Sequence, residues 1–171
     1  MVRRADQLLL PVNPLFMWLS VGVALMLNLL PLGRVAWLPD LLAVVLVFWN
    51  VHQPRRMGMA PAFVLGLLMD VHQGALLGQH ALAYSLLCFG AITIHRRLLW
   101  FSLPSQATQI LPLFALAHLL VLAVRMVAGG TFPGWDLLLA PLLEAALWPL
   151  ATWVLLAPQR RPPDRDKNRP L

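Results

Sequence analysis

Asp70, His118, Arg125 and Glu144 are ionisable residues set inside otherwise apolar runs of this sequence. A charge at the centre of a hydrocarbon layer costs about 2.5 to 3.5 kcal/mol even on insertion scales, so each needs a partner. Counting outward from the turn at Gly129 to Gly134, Glu144 falls at a depth between Arg125 and His118. These three residues are therefore expected to form an ion pair inside the protein, with Arg125 reaching down or His118 reaching across. For Asp70 two readings are open: a helix C-terminus exposed to periplasmic water, or a carboxylate with a partner, which is the turn from Gly74 to Gly78, His72 or His80, or a residue of another protein.

Asp70 also belongs to a ladder of small residues at four-residue spacing, Gly58, Ala62, Gly66, Asp70, Gly74 and Gly78. Residues four apart share a helix face, and small ones let a second helix approach closely. Pro61 is compatible with a kink or with a first helical turn.

Other chemistries lack their residues. His52, His72, His80 and His95 are expected near membrane boundaries and not on one face. There is no HExxH, no GxSxG elbow and no P-loop. The single cysteine, Cys88, excludes an internal disulfide and any CxxC site. No catalytic residue, metal or cofactor is expected.

The elements that must hold these residues follow from composition. Hydrophobic residues make up 60% of the chain and charged ones 12%, against about 45 to 50% and about 25% in soluble domains. A spanning helix needs about 20 mainly apolar residues. The apolar runs are Leu15 to Leu32, Trp37 to Val51, Met57 to Leu77, Gln79 to Ile94, Ser105 to Ala128 and Trp135 to Ala157. Glycine and proline separate them. The expected fold is all-α with about six transmembrane helices in one domain over residues 1–157, followed by a disordered basic cytoplasmic tail over 158–171.

Thirteen lysines and arginines and a net charge of +6 would suit nucleic acid if they formed a stripe. Here they lie between the apolar runs and read as topology. With the N-terminus inside, Arg3, Arg4, Arg55, Arg56, Arg96, Arg97, Arg160, Arg161, Arg165, Lys167 and Arg169 are inside and only Arg34 and Arg125 outside. The positive-inside rule thus selects both ends in the cytoplasm. Arg3 and Arg4 ahead of Leu15 to Leu32 read as an uncleaved first span, because the run exceeds a signal peptide's apolar core. Trp37, Trp100 and Trp135 fall at expected membrane boundaries.

The segment from Gly66 through Asp70, Gly74, Leu77 and Gly78 to Ala81-Leu82 resembles the MreD family of bacterial rod shape-determining proteins, in the pattern G-xxx-D-xxx-G-xx-L-G-xx-A-L. Pro39 with its apolar run to Trp49 and Pro54, and Leu147-Trp148-Pro149 in the last span, are similar to further signatures of that family. Ala62 stands where many members continue the glycine ladder. The resemblance implies a non-enzymatic scaffold of the bacterial inner membrane serving lateral peptidoglycan synthesis. It implies association with MreC, alongside MreB, RodA and its class B penicillin-binding transpeptidase partner. Gly66, Asp70, Gly74, Leu77, Gly78, Trp148 and Pro149 are the residues expected to serve packing and partner binding. The family also resembles the six-helix S-components of energy-coupling-factor transporters, which supply the rival reading of a vitamin-binding subunit. Their Ala-xxx-Ala coupling motif is matched here only by Ser20-Val-Gly-Val-Ala24.

Overall fold

Asn13 starts the first helix: its extended backbone precedes Pro14, and its side-chain oxygen accepts the Leu15 N–H at 2.9 Å. Proline costs nothing at a first helical position, where the missing N–H has no partner in any case. The computed structural model describes residues 12–30 and 37–159. Over these the chain forms α1 (Pro14–Asn28), α2 (Leu41–His52), α3 (Met59–Gln73), α4 (Gln79–Leu98), α5 (Leu103–Val127) and α6 (Leu139–Leu156). Short 3-10 turns at Trp135–Leu138 and Ala157–Gln159 flank α6. No strand occurs among the described residues. Of the expected basic tail only Pro158 and Gln159 are described, and they belong to the last 3-10 turn. Arg3, Arg4, Arg34 and the basic residues from Arg160 onward lie outside the described residues.

Every residue from Leu42 to Val51 except Val45 is buried. A helix apolar all round belongs in the interior, and α2 accordingly packs against α1, α4 and α6. Helix α4 packs against α2, α3 and α5, and α5 packs against α6. Trp49, Phe48 and Trp148 fill the centre. The rings of Phe48 and Trp49 meet edge to face at 4.9 Å, and Phe48 and Trp148 lie 6.2 Å apart.

The outer helices turn large apolar side chains outward, among them Leu15, Leu19 and Met26 of α1 and Leu116 and Leu119 of α5. Contiguous apolar exteriors are rare in water-soluble monomers. Two segments, Leu103–Val127 and Trp135–Gln159, each of 25 residues, are long and apolar enough to cross a bilayer. Helices α1 and α2 are apolar but shorter, at 15 and 12 residues. At 1.5 Å per residue they reach about 22 and 18 Å, less than the roughly 30 Å hydrocarbon core. Their bounds differ from the apolar runs: Leu29 is the C-cap of α1, and Asp40 is the N-cap of α2, where an apolar run from Trp37 is expected.

Candidate functional site

Asp40 organises the first polar cluster. It is the N-cap of α2 and accepts the Ala43 N–H at 2.9 Å, as short polar residues do at helix starts. The same carboxylate accepts from Asn28 Nδ2 at 2.6 Å and from the hydroxyl of Tyr84, the chain's one tyrosine. Its backbone N–H donates to Glu144 Oε1 at 2.9 Å, and His118 Nε2 lies 2.8 Å from that oxygen. One cluster thereby ties the ends of α1 and α2 to α4, α5 and α6. Glu144 is fully buried, and its Oε2 has no hydrogen-bond partner among the described residues.

Asp70 organises the second cluster, at the same end of the bundle. Helix α3 stops at Gly74, whose φ of +60° takes the left-handed turn that side chains disfavour. Gly78, at φ +101°, starts α4 with no capping side chain of its own. Asp70 supplies the cap from one helix back. Its Oδ2 accepts the Gly78 N–H at 2.8 Å, and its Oδ1 accepts the His80 N–H and the ring Nδ1–H of His80, both at 2.8 Å. A carboxylate at a helix N-terminus meets free N–H groups and the positive end of the helix dipole. The carboxylate is fully buried. The His80 ring also meets the edge of Tyr84 at 6.2 Å, which joins the second cluster to the first.

Gly66 sets the spacing of α3 and α4. A Cβ there would stand 2.4 Å from the Ala81 Cα and 2.8 Å from the His80 carbonyl carbon. The small-residue ladder is therefore divided in two. Ala62, Gly66 and Asp70 are buried against α4, while Gly74 and Gly78 form the turn between the helices and Leu77 projects from it, 68% exposed. Pro61 sits in the first turn of α3.

Midway along α6 Trp148 is fully buried and its Nε1–H donates to Gln106 Oε1 in the first turn of α5 at 3.1 Å, linking the two helices. The Gln106 amide in turn donates to the Phe101 carbonyl at 3.0 Å. Pro149 lies inside α6 without breaking it, and the Thr152 hydroxyl donates to the Trp148 carbonyl at 2.8 Å.

The structure thus brings His118 to Glu144 but not Arg125. The Arg125 side chain lies against Gly130 at the end of α5, is exposed, and forms no ion pair among the described residues. Asp40, Asn28, Tyr84 and Gln106 are site residues that sequence reasoning passed over. Asp40 had a signal, since an acidic residue directly after Pro39 and before an apolar run is a helix N-cap pattern. Among the described residues no group of three or more His, Cys, Asp or Glu side chains could hold a metal.

Residues 11–156 match the family described as rod shape-determining protein MreD. The chain is 28% identical over 130 residues to the rod shape-determining protein MreD of Haemophilus influenzae, an alignment covering 74% of this chain and 76% of that relative. No solved structure matches it.

Proposed function

The chain belongs to the MreD family of rod shape-determining proteins, and from that premise we propose that it is a non-enzymatic scaffold of the cell-elongation machinery, spanning the inner membrane six times with both ends in the cytoplasm. The observation that carries the scaffold reading is the pair of buried carboxylates, Asp70 and Glu144. Both spend their hydrogen bonds on neighbouring helices. Polar groups used in this way fix one arrangement of a bundle. A bundle so fixed holds its surface still for partners.

The surface offered at the Asp70 end is the turn from Gly74 to Gly78. Val71, Leu76 and Leu77 are 69%, 56% and 68% exposed there. Gly66 and Asp70 hold this turn from beneath and donate no atoms to its outer face. With both chain ends inside, this is the periplasmic end, where MreC is the expected partner. RodA, its class B penicillin-binding transpeptidase partner and MreB would be reached through the same assembly.

The test is depletion of the protein in its rod-shaped host, followed by rescue. Wild type restores rods, and Leu77→Asp inserts normally but fails to co-purify with MreC. Rods that persist through depletion overturn the scaffold reading. A Leu77→Asp protein that captures MreC as wild type does removes the turn from the interface.

A further inference from the structure

The described acids, Asp40, Asp70, Asp136 and Glu144, all lie toward the end of the bundle where α2 and α4 begin. At the other end Arg55 and Arg56 occupy the turn between α2 and α3, and Arg96 and Arg97 the last turn of α4. All four arginines are exposed, and none forms an ion pair among the described residues. Arg56 is held in place by a 3.1 Å hydrogen bond from its guanidinium to the Val12 carbonyl. No described carboxylate lies at this end, so its arginines are free to meet an anion of the surroundings.

A shallow, open apolar groove of about 360 Å³ lies on the surface formed by α3, α4 and α5. It is lined by Met59, Leu82, Ser85, Leu86, Phe89 and Leu120. Leu82, Leu86, Phe89, Thr93 and Arg96 follow one another at spacings of four and three residues, which is a single face of α4. The groove and the cation are parts of one stripe. Phe89 to Arg96 is about 10 Å along the helix and Leu82 to Arg96 about 21 Å, the scale of one leaflet of a hydrocarbon core roughly 30 Å thick. On the α3 side Met59 lines the groove three residues after Arg56, and on α4 Phe89 lines it seven residues before Arg96.

We propose that this stripe seats one anionic phospholipid of the cytoplasmic leaflet, with its phosphate on Arg96 and Arg97, flanked by Arg55 and Arg56, and an acyl chain in the groove beside Phe89. Charge and shape together favour lipid over a partner's helix. Arginines without an ion pair among the described residues, on the same stripe as a groove whose one polar side chain, Ser85, donates to the Ala81 carbonyl, match a molecule with one charged end and one apolar end. The exposed Trp100, just past the end of α4, lies where indole rings settle at a lipid headgroup layer. The seat rests on the membrane placement proposed above and is independent of partner assembly.

The full-length protein, purified in detergent, is titrated with phosphatidylglycerol or phosphatidylcholine and bound lipid is counted by native mass spectrometry. Wild type retains phosphatidylglycerol in preference. The variant R96Q/R97Q, altered only on an exposed turn, weakens that retention roughly 10- to 30-fold. R125Q, at the opposite end, leaves it unchanged. L86W, which fills the groove, lowers retention of both lipids. Equal retention of the two lipids by wild type, or an equal loss in R96Q/R97Q and R125Q, overturns the proposal. Undiminished retention in L86W also overturns it. None of these readings depends on cell shape, so failure of the lipid seat leaves the scaffold standing, and normal rods after depletion leave the lipid seat standing.

Discussion

The backbone N–H of Asp40 and the side chain of Glu144 meet at 2.9 Å across 104 residues of sequence. This bond, with the His118 contact on the same oxygen, joins the start of α2 to α5 and α6 in the interior of the bundle. Glu144→Ala leaves two half-buried groups, the Asp40 N–H and the His118 ring, without their acceptor, and a buried group left unpaired costs about 1 to 3 kcal/mol. A loss of about 2 to 5 kcal/mol in unfolding free energy is expected, measured by denaturation in mixed micelles. Glu144→Gln keeps the accepting oxygen and should lose about half as much. Adding Arg125→Gln to either variant should change nothing further, because Arg125 lies against Gly130. A rescue by that second substitution would show that the arginine reaches the glutamate after all.

Gly66→Ala and Gly22→Ala form a matched pair. A methyl on Gly66 would strike the backbone of Ala81 at 2.4 Å, whereas one on Gly22 meets nothing within 4 Å. Backbone cannot rotate away as a side chain can, so α3 and α4 must part. The expected cost is at or above the upper end of the usual 1 to 3 kcal/mol for overpacking. In α1 the same change removes only glycine's unfavourable helix propensity, a gain of about 0.5 to 1 kcal/mol. Melting temperatures of the two variants should move in opposite directions. A tolerated Gly66→Ala would mean that the two helices pack less closely than described.

The parts of this architecture legible in the sequence are those set by short range. Periodic apolar runs bounded by glycine and proline mark the helices, and the four-residue ladder marks the α3 face that meets α4. Counting along one hairpin is enough to bring His118 level with Glu144. Arg125 is a different case, since its long side chain can take many directions and the local turn at Gly130 chooses one. Asp40 is hidden for another reason. It sits at a run boundary, its N-cap role is local, and its link to Glu144 depends on a tertiary arrangement that no periodicity encodes. Tyr84 is hidden in the same way, being one hydroxyl on a buried face of α4 that is apolar from Leu87 to Ala91.

Asp70→Asn and Asp70→Ala separate an internal cap from a partner contact. The aspartate accepts the Gly78 and His80 N–H groups and the His80 ring. Loss of a helix cap costs about 1 kcal/mol, rising to about 2 in strong cases, and charged hydrogen bonds add to that. Asp70→Ala should therefore lose about 2 to 4 kcal/mol, and Asp70→Asn less, because one accepting oxygen remains. The specific signature is faster amide exchange at Gly78, His80 and Ala81, measured on the isolated protein by mass spectrometry or NMR. Unchanged exchange at those amides, with partner capture lost, would move Asp70 from the interior cap to the interface.

Trp148 and Gln106 can be tested as a pair. The indole N–H donates to the glutamine carbonyl at 3.1 Å, and both side chains are buried. Trp148→Phe keeps most of the ring's volume but leaves Gln106 Oε1 without its donor. Gln106→Leu leaves the indole N–H without an acceptor and also releases the Phe101 carbonyl from its 3.0 Å bond. Each single substitution should cost about 1 to 3 kcal/mol. The double variant places two apolar groups face to face, so its cost should fall short of the sum by about 0.5 to 2 kcal/mol, as expected for residues in direct contact. Pro149 sharpens the case, because its missing N–H leaves the Ala145 carbonyl without its helical donor, one internal hydrogen bond fewer in α6. With less support along its own axis there, the helix depends more on its link to α5. Strict additivity in the unfolding free energies would show that the Trp148–Gln106 bond contributes nothing, and that Trp148 holds α6 through ring packing.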